Sequence, residues 1–364
     1  MGSTGSHGCT SSSIVAFERG HSVGAMRRIR ISVVSVVLCL LNLPAASAWA
    51  TTPVCDGTWK LKPVPGDAGF AFSDVAAISA DDVWVVGGSN AGPISEHWNG
   101  SAWTNVRTPA GAPRSRAVLN AVDARGPDDI WAVGSRFVGR LGNSYVYVIH
   151  WNGTRWKLAD LPAVHAGKAS FPAREFGVAV AGEHDVWILG GNHTVLHRTA
   201  SGWTRSQIAD PGFGVYRLDS ISADSPKDVW ISGWAESNQP GGHSGELLEH
   251  WDGHSWSFQT GNFTGVAEFS GIAVQSPSNV LAVGEFWSGW KQGTTWGLVP
   301  TPEYLGGFDQ YRNDVVWDSP STAWTVGYID DATAIYRYIS YAIIDRWDDG
   351  GWAKSWISSP VSSS

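Results

Sequence analysis

Asp82, Asp129, Asp185 and Asp228 each stand two residues before a tryptophan, Trp84, Trp131, Trp187 and Trp230, at the head of a repeated apolar stretch. Asn279 holds the corresponding place in a fifth copy, and His97, His150, His197 and His250 follow later in the first four. Carboxylates in such numbers could bind cations or exchange protons, and four imidazoles could ligate a metal. Neither chemistry fits the spacing. Residues that recur once per repeat radiate around an array and do not converge, and no His-x-His or His-Glu-x-x-His pattern is present. The aspartates are therefore expected to accept turn N–H groups just before a strand, and the histidines to bond a neighbouring strand or turn. No metal and no cofactor is expected.

Residues that break the repeat are better candidates for a site, because a scaffold residue recurs and a site residue need not. The fifth copy carries Glu285-Phe286-Trp287-Ser288-Gly289-Trp290 where the others run into polar loop. Trp287 and Trp290 read either as a stacking platform, with Phe286 and Glu285 beside it, or as part of a repacked third strand in a degenerate blade. Insertions in the second and fourth copies add Arg136, Arg140 and His243, on loops of the kind that carry binding function. Glu175, Glu268 and Glu285 are acids outside the repeat that could serve a hydrolase. No nucleophile elbow, P-loop, dinucleotide fingerprint or zincin helix occurs, so binding is expected in preference to catalysis.

The elements that must position these residues are read from the copies themselves. Each contains a short small-residue strand such as Val75-Ala76-Ala77-Ile78, then the Asp-x-Trp strand ending at a glycine. A β-branched third strand such as Tyr145–Trp151 follows, then a Trp-Asn-Gly or Trp-Asp-Gly turn and a fourth strand beginning at Trp. The closing glycines Gly87, Gly134, Gly190, Gly233, Gly284 and Gly327 recur every ~43–56 residues, the period of propeller blades. Helical spacing is nowhere sustained. The fold class is all-β: a β-propeller of four-stranded blades, six in number, with seven left open by an orphan fourth-strand copy at Trp59.

The repeat Asp-Val-Trp-x-Val-Gly … His-Trp-Asn-Gly-x-x-Trp resembles those of secreted bacterial propellers, particularly actinobacterial ones. It is also similar to tectonin/tachylectin-type lectin propellers. That resemblance implies shallow sugar sites on or between blades, with aromatic rings stacked on pyranose faces. It does not extend to the binding residues of those lectins, none of which has a matching position here.

The remaining signals concern location and partners. Met26-Arg27-Arg28-Ile29-Arg30, the apolar run Ile31–Leu43 and small-x-small sites ending at Ala48 or Ala50 predict a signal peptide over residues 26–50. Residues 1–25 then form an upstream leader ahead of a start at Met26, and residues 51–364 a single domain. Only Cys55 lies in that domain, so it holds no internal disulfide, and packing by the 22 Trp residues must supply stability. The net charge is −8 with no basic run, which argues against nucleic acid and anionic membrane as partners. A secreted monomer binding a glycan or cell-wall polymer is the leading expectation. A protein-interaction scaffold and a propeller-fold polysaccharide hydrolase or lyase are the alternatives.

Overall fold

In the computed structural model the described residues are 13–14, 60–61, 64, 70–109, 116–138, 143–161, 165–168, 176–190, 193–209, 215–236, 244–259, 261, 263, 268–304, 309–331, 339–348, 350–357 and 361–362. They form six antiparallel sheets, each with four consecutive strands in sequence order, and no helix. The sheets are blades 1 to 6, whose innermost strands are Ala71–Ser79, Arg116–Gly126, Phe176–Gly182, Val215–Ser225, Phe269–Ser276 and Asp309–Trp317. The six-bladed propeller expected from the period is what the chain forms. Blade 6 supplies its own outer strand, Gly351–Ile357. Trp59 lies outside the described residues, and the neighbouring Lys60–Leu61 pairs with Ser13–Ile14, apart from the blades. His165–Lys168 adds a fifth strand to blade 2 against Asn143–Tyr145.

Among the described residues the large apolar clusters lie in the seams between blades. Trp84 and Val86 of blade 1 pack with Leu119, Ile130, Tyr147 and Trp156 of blade 2. Trp187 and Leu189 of blade 3 meet Leu218, Val229 and Trp256 of blade 4 in the same way. Trp187 lies 5.1 Å from Trp251 and 5.4 Å, edge-on, from Trp256. A buried Trp withdraws about 150–250 Å² from water, which at ~25 cal/mol/Å² is roughly 4–6 kcal/mol. Tryptophan is thus the bonding element between blades, and its abundance follows from the number of seams.

The innermost strands are sheet edges, so half of their backbone groups lack a strand partner. Side chains of the preceding blade supply one. Asp74 accepts from Val122 N–H at 2.8 Å, Asp123 from Val180 N–H at 2.8 Å, and Ser222 from Val274 N–H at 3.1 Å. Burial and then the charge of Asp314 raise the Asp74 carboxyl well above its usual range. Burial likewise lifts Asp123 to about 6.

Five of the six innermost strands carry a β-bulge near their start, where the pairing skips Ser73, Asn120, Asp219, Ser270 or Asn313. The bulge pushes a carbonyl toward the second strand. A Cβ on Gly134 would overlap the Val118 carbonyl oxygen, and one on Gly284 the Glu268 carbonyl oxygen. The closing glycine of the repeat is there for this close approach.

Candidate ligand-binding face

In blades 1 to 4 the second strand begins at its aspartate and runs through its glycine, and in blade 5 Asn279 takes the aspartate's place, so the blades have an aspartate end and a bulge end. At the aspartate end the expected chemistry is fully absorbed by structure. Positions i and i+2 of a strand share a face, so Asp228 can accept from the Trp230 indole N–H at 2.9 Å. His250 is paired across the sheet with Trp230, stacks on it at 4.2 Å, and places Nε2 2.7 Å from the same Asp228 oxygen. The arrangement repeats as Asp82–Trp84–His97, Asp129–Trp131–His150 and Asp185–Trp187–His197. Burial works to raise the Asp129 carboxyl, but bonds from His150, Arg125 and Trp131 outweigh it and hold it at about 2. The aspartates therefore satisfy an indole and an imidazole within the blade, where turn N–H groups had been expected. Among the described residues no group of His, Cys, Asp and Glu could hold a metal ion.

At the bulge end each seam differs. Between blades 3 and 4, His193 holds a left-handed φ of 56°, stacks on Tyr216 at 3.9 Å and meets its carbonyl oxygen at 2.5 Å. A non-glycine residue held there is strained, and such strain tends to gather at functional sites. Between blades 4 and 5, Arg217 binds both oxygens of Asp219 at 2.7 and 2.8 Å and Glu268 at 2.6 Å. Burial disfavours the guanidinium charge, yet these two carboxylates raise the Arg217 pKa above its normal value. Between blades 5 and 6 stands the turn Glu285-Phe286, leading into the strand Trp287–Gln292. Phe286 is 47% and Trp287 37% exposed; with Leu158 they are the exposed large hydrophobic residues among those described. Glu268 and Glu285 flank the last backbone pair, Phe269 with Gly284, so the aromatic turn adjoins the Arg217 cluster.

Of the expected site residues, Glu285, Phe286 and Trp287 are brought together, and Trp290 is not. Residues three apart on a strand face opposite ways. Trp290 is half-buried and packs against the core of the seam between blades 5 and 6, edge-on to Trp347 at 4.9 Å, with its indole N–H on Asn279 at 2.9 Å. It pairs with Leu281, the residue that stands where other blades have Trp. Blade 5 has moved its indole from the second strand to the third, into the histidine position. A two-tryptophan platform is therefore not what this strand presents. Arg136 belongs to blade 2, across the ring from blade 5, and its Nε is buried without a partner. Arg140, His243 and Glu175 lie outside the described residues. Sequence reasoning missed Arg217, Asp219, Tyr216 and His193. For Tyr216, Arg217 and Asp219 the signal was that they interrupt an otherwise small and apolar first strand; His193, in the turn between the second and third strands of blade 3, gave none.

No family model matches the chain, and no curated protein matches it. Among solved structures, a chain of the mitotic checkpoint complex aligns over 89% of this chain and 90% of its own at 10% identity, with a TM-score of 0.51. YCF48 bound to a D1 peptide aligns over 71% and 74% at 15% identity and TM-score 0.44. A mutant of the α-L-arabinofuranosidase Arb93A from Fusarium graminearum, with an iminosugar inhibitor, aligns over 71% and 88% at 9% identity and TM-score 0.47. The class that the six four-stranded blades define is the β-propeller, which hosts unrelated activities. The chain is similar to all three in fold alone.

Proposed function

We propose that the protein is a secreted binding propeller that takes a glycan or cell-wall polysaccharide on its bulge end. The observation that carries the reading is the exposed Phe286–Trp287 pair. An aromatic face left in water offers an apolar platform for the C–H face of a pyranose. Beside it, Arg217 and Glu268 supply a hydrogen-bond donor and acceptor, already oriented by their mutual bond, for sugar hydroxyls. Preorganised polar groups at the edge of an apolar contact are what fix a ligand's orientation. Secretion rests on the leader over residues 26–50.

Residues 51–364 should bind one or more members of a panel of xylan, chitin oligosaccharides and peptidoglycan. Phe286→Ala with Trp287→Ala should weaken that binding at least tenfold, and Leu158→Ala, also an exposed apolar site, should leave it unchanged. A blank panel, or undiminished binding by the double variant, ends the proposal. A hydrolase remains the second reading because Glu268 and Glu285 adjoin the same turn. Breakdown of the polysaccharide, lost in Glu285→Gln with binding retained, would favour it over simple binding.

A further inference from the structure

Phe72, Leu119, Leu218 and Phe269 occupy one and the same position, opposite the closing glycine of blades 1, 2, 4 and 5, and all four are buried. In blade 6 that position is Arg312, opposite Gly327, and it is 0% exposed. A core site held by leucine or phenylalanine in its sister blades has been given to a guanidinium, whose burial is costly unless every donor is met. Its donors are met in a particular way. Nε reaches Asp345 Oδ2 at 3.0 Å, Nη1 the Glu285 carbonyl oxygen at 2.8 Å and Nη2 the Pro302 carbonyl oxygen at 2.5 Å. Two of the three acceptors are backbone of blade 5 or of the segment leaving it, and one is the first residue of the aromatic turn.

The partner of Arg312, Asp345, faces Thr325 across the sheet, at a position that is acidic also in blades 1 and 4 (Glu96, Glu249) and apolar in blades 2 and 3 (Ile149, Leu196). Its second oxygen accepts from the Tyr304 hydroxyl at 2.5 Å, with the Ile344 carbonyl oxygen 3.0 Å from that hydroxyl. Thr301 closes the circuit, its N–H donating to the Phe286 carbonyl oxygen at 3.1 Å. The peptide groups on both sides of the Phe286 Cα are thus held from blade 6 and from the interblade segment.

We infer that Arg312, seated by Asp345 and Tyr304, is a positioning residue for the aromatic turn, fixing the backbone that presents Phe286 and Trp287 to ligand. The inference rests on the reading of that turn as the contact surface. Arg312 touches no ligand itself. A planar fork can reach three divergent acceptors at once, and an ammonium on a flexible stem cannot reproduce that span. Loss of the fork leaves the seam's apolar packing in place and releases the turn.

The test uses residues 51–364 with Arg312→Lys and Tyr304→Phe, and Trp187→Phe in the distant seam of blades 3 and 4 as a control for stability alone. Arg312→Lys should speed amide exchange at Phe286–Ser288 at least tenfold, with exchange in blades 1 to 3 unchanged. It should also weaken binding to the xylan, chitin-oligosaccharide and peptidoglycan panel about tenfold. Tyr304→Phe, which removes one hydroxyl and should fold, is expected to show the same pattern at two- to fivefold. Trp187→Phe should lower the Tm without either effect. Wild-type exchange in the turn of both Arg312→Lys and Tyr304→Phe overturns the inference, as does wild-type affinity in a folded Arg312→Lys. A wild-type protein that binds nothing in the panel ends the glycan reading alone. The exchange measurement then still decides: faster exchange in the turn sustains the clasp, and unchanged exchange removes it.

Discussion

The two ends of the ring are built from the same strands and treat their polar residues in opposite ways. At the aspartate end one solution is used four times: a carboxylate takes an indole and an imidazole, and the stacked pair fills the seam. At the bulge end no two seams agree, and the side chains are an arginine between two acids, a strained histidine on a tyrosine, and an exposed aromatic turn. Every interblade seam must be closed, so whatever closes it recurs. A ligand is met once, so what meets it departs from the period. The lesson is that in a repeat protein the conspicuous titratable residues belong to the scaffold, and the site lies where the pattern lapses.

The strongest way to break this contrast is to cut into the aspartate end. Trp230 is 0% exposed, stacks on His250, and meets Trp296 of blade 5 edge-on at 5.5 Å. Trp230→Ala should cost about 3–5 kcal/mol in urea-melt stability, the range for truncating a buried aromatic. It also leaves Asp228 and His250 without the ring that organised them. A loss under ~1 kcal/mol would mean that the triads are ornaments on the seam and that the division between the two ends is wrong.

A second test sharpens the boundary between the ends. Glu249 sits midway along the third strand of blade 4, 0% exposed, where blades 2 and 3 have Ile149 and Leu196. Neither of its oxygens makes a well-formed hydrogen bond, although the Ala209 N–H faces it; burial pushes its pKa up to about 8. An unfolded glutamate titrates near 4.5, so between that pH and 8 the unfolded state gives up a proton that the folded state keeps. Stability should therefore be fullest below pH ~4.5 and decline as pH rises toward 8, by a few kcal/mol at most. Glu249→Gln carries no titrating proton and should flatten this slope, gaining on the wild type from pH 5 to 8 in urea melts. Parallel slopes for the two proteins would show that Glu249 ionises freely, through a wetter seam than this packing describes.

How much of this was legible follows from which interactions are local. The six blades were readable because each repeat announces its own strands and turns. In the Trp-Asn-Gly and Trp-Asp-Gly turns, Asn99 and Asp252 accept the N–H groups two and three residues on, with Gly100 and Gly253 at φ of 87° and 94°. The partners of Asp82 and its copies were misread as turn N–H groups, because cross-strand stacking of Trp84 on His97 depends on a register that no short motif records. Trp290 is legible from its own repeat either as platform or as repacked strand; the missing tryptophan at Leu281, one strand away, is the clue that it packs into the seam. Arg312 and Arg217 gave little sign, since their acceptors Glu285 and Glu268 lie in a neighbouring blade. What joins one blade to the next is written in two repeats at once, and a pass along one repeat does not show it.

The smallest expected effect is the most discriminating. Phe286→Ala with Trp287→Ala removes two large rings, a change that inside a seam would cost several kcal/mol. Here both residues are partly open to water, 47% and 37% exposed, and the bonds that hold the turn run through backbone carbonyls that alanine also possesses. Substitutions away from cores, caps and buried networks usually stay within ±0.5 kcal/mol. The double variant should therefore melt in urea within about 1 kcal/mol of the wild type, and should be no worse in solubility, since it removes exposed apolar area. A tryptophan and a phenylalanine kept in water at no benefit to stability have to be explained by something they touch. If the pair instead costs as much as Trp230→Ala, the rings are packed in solution, the bulge end is scaffold like the other, and the ligand must be sought on another part of the ring.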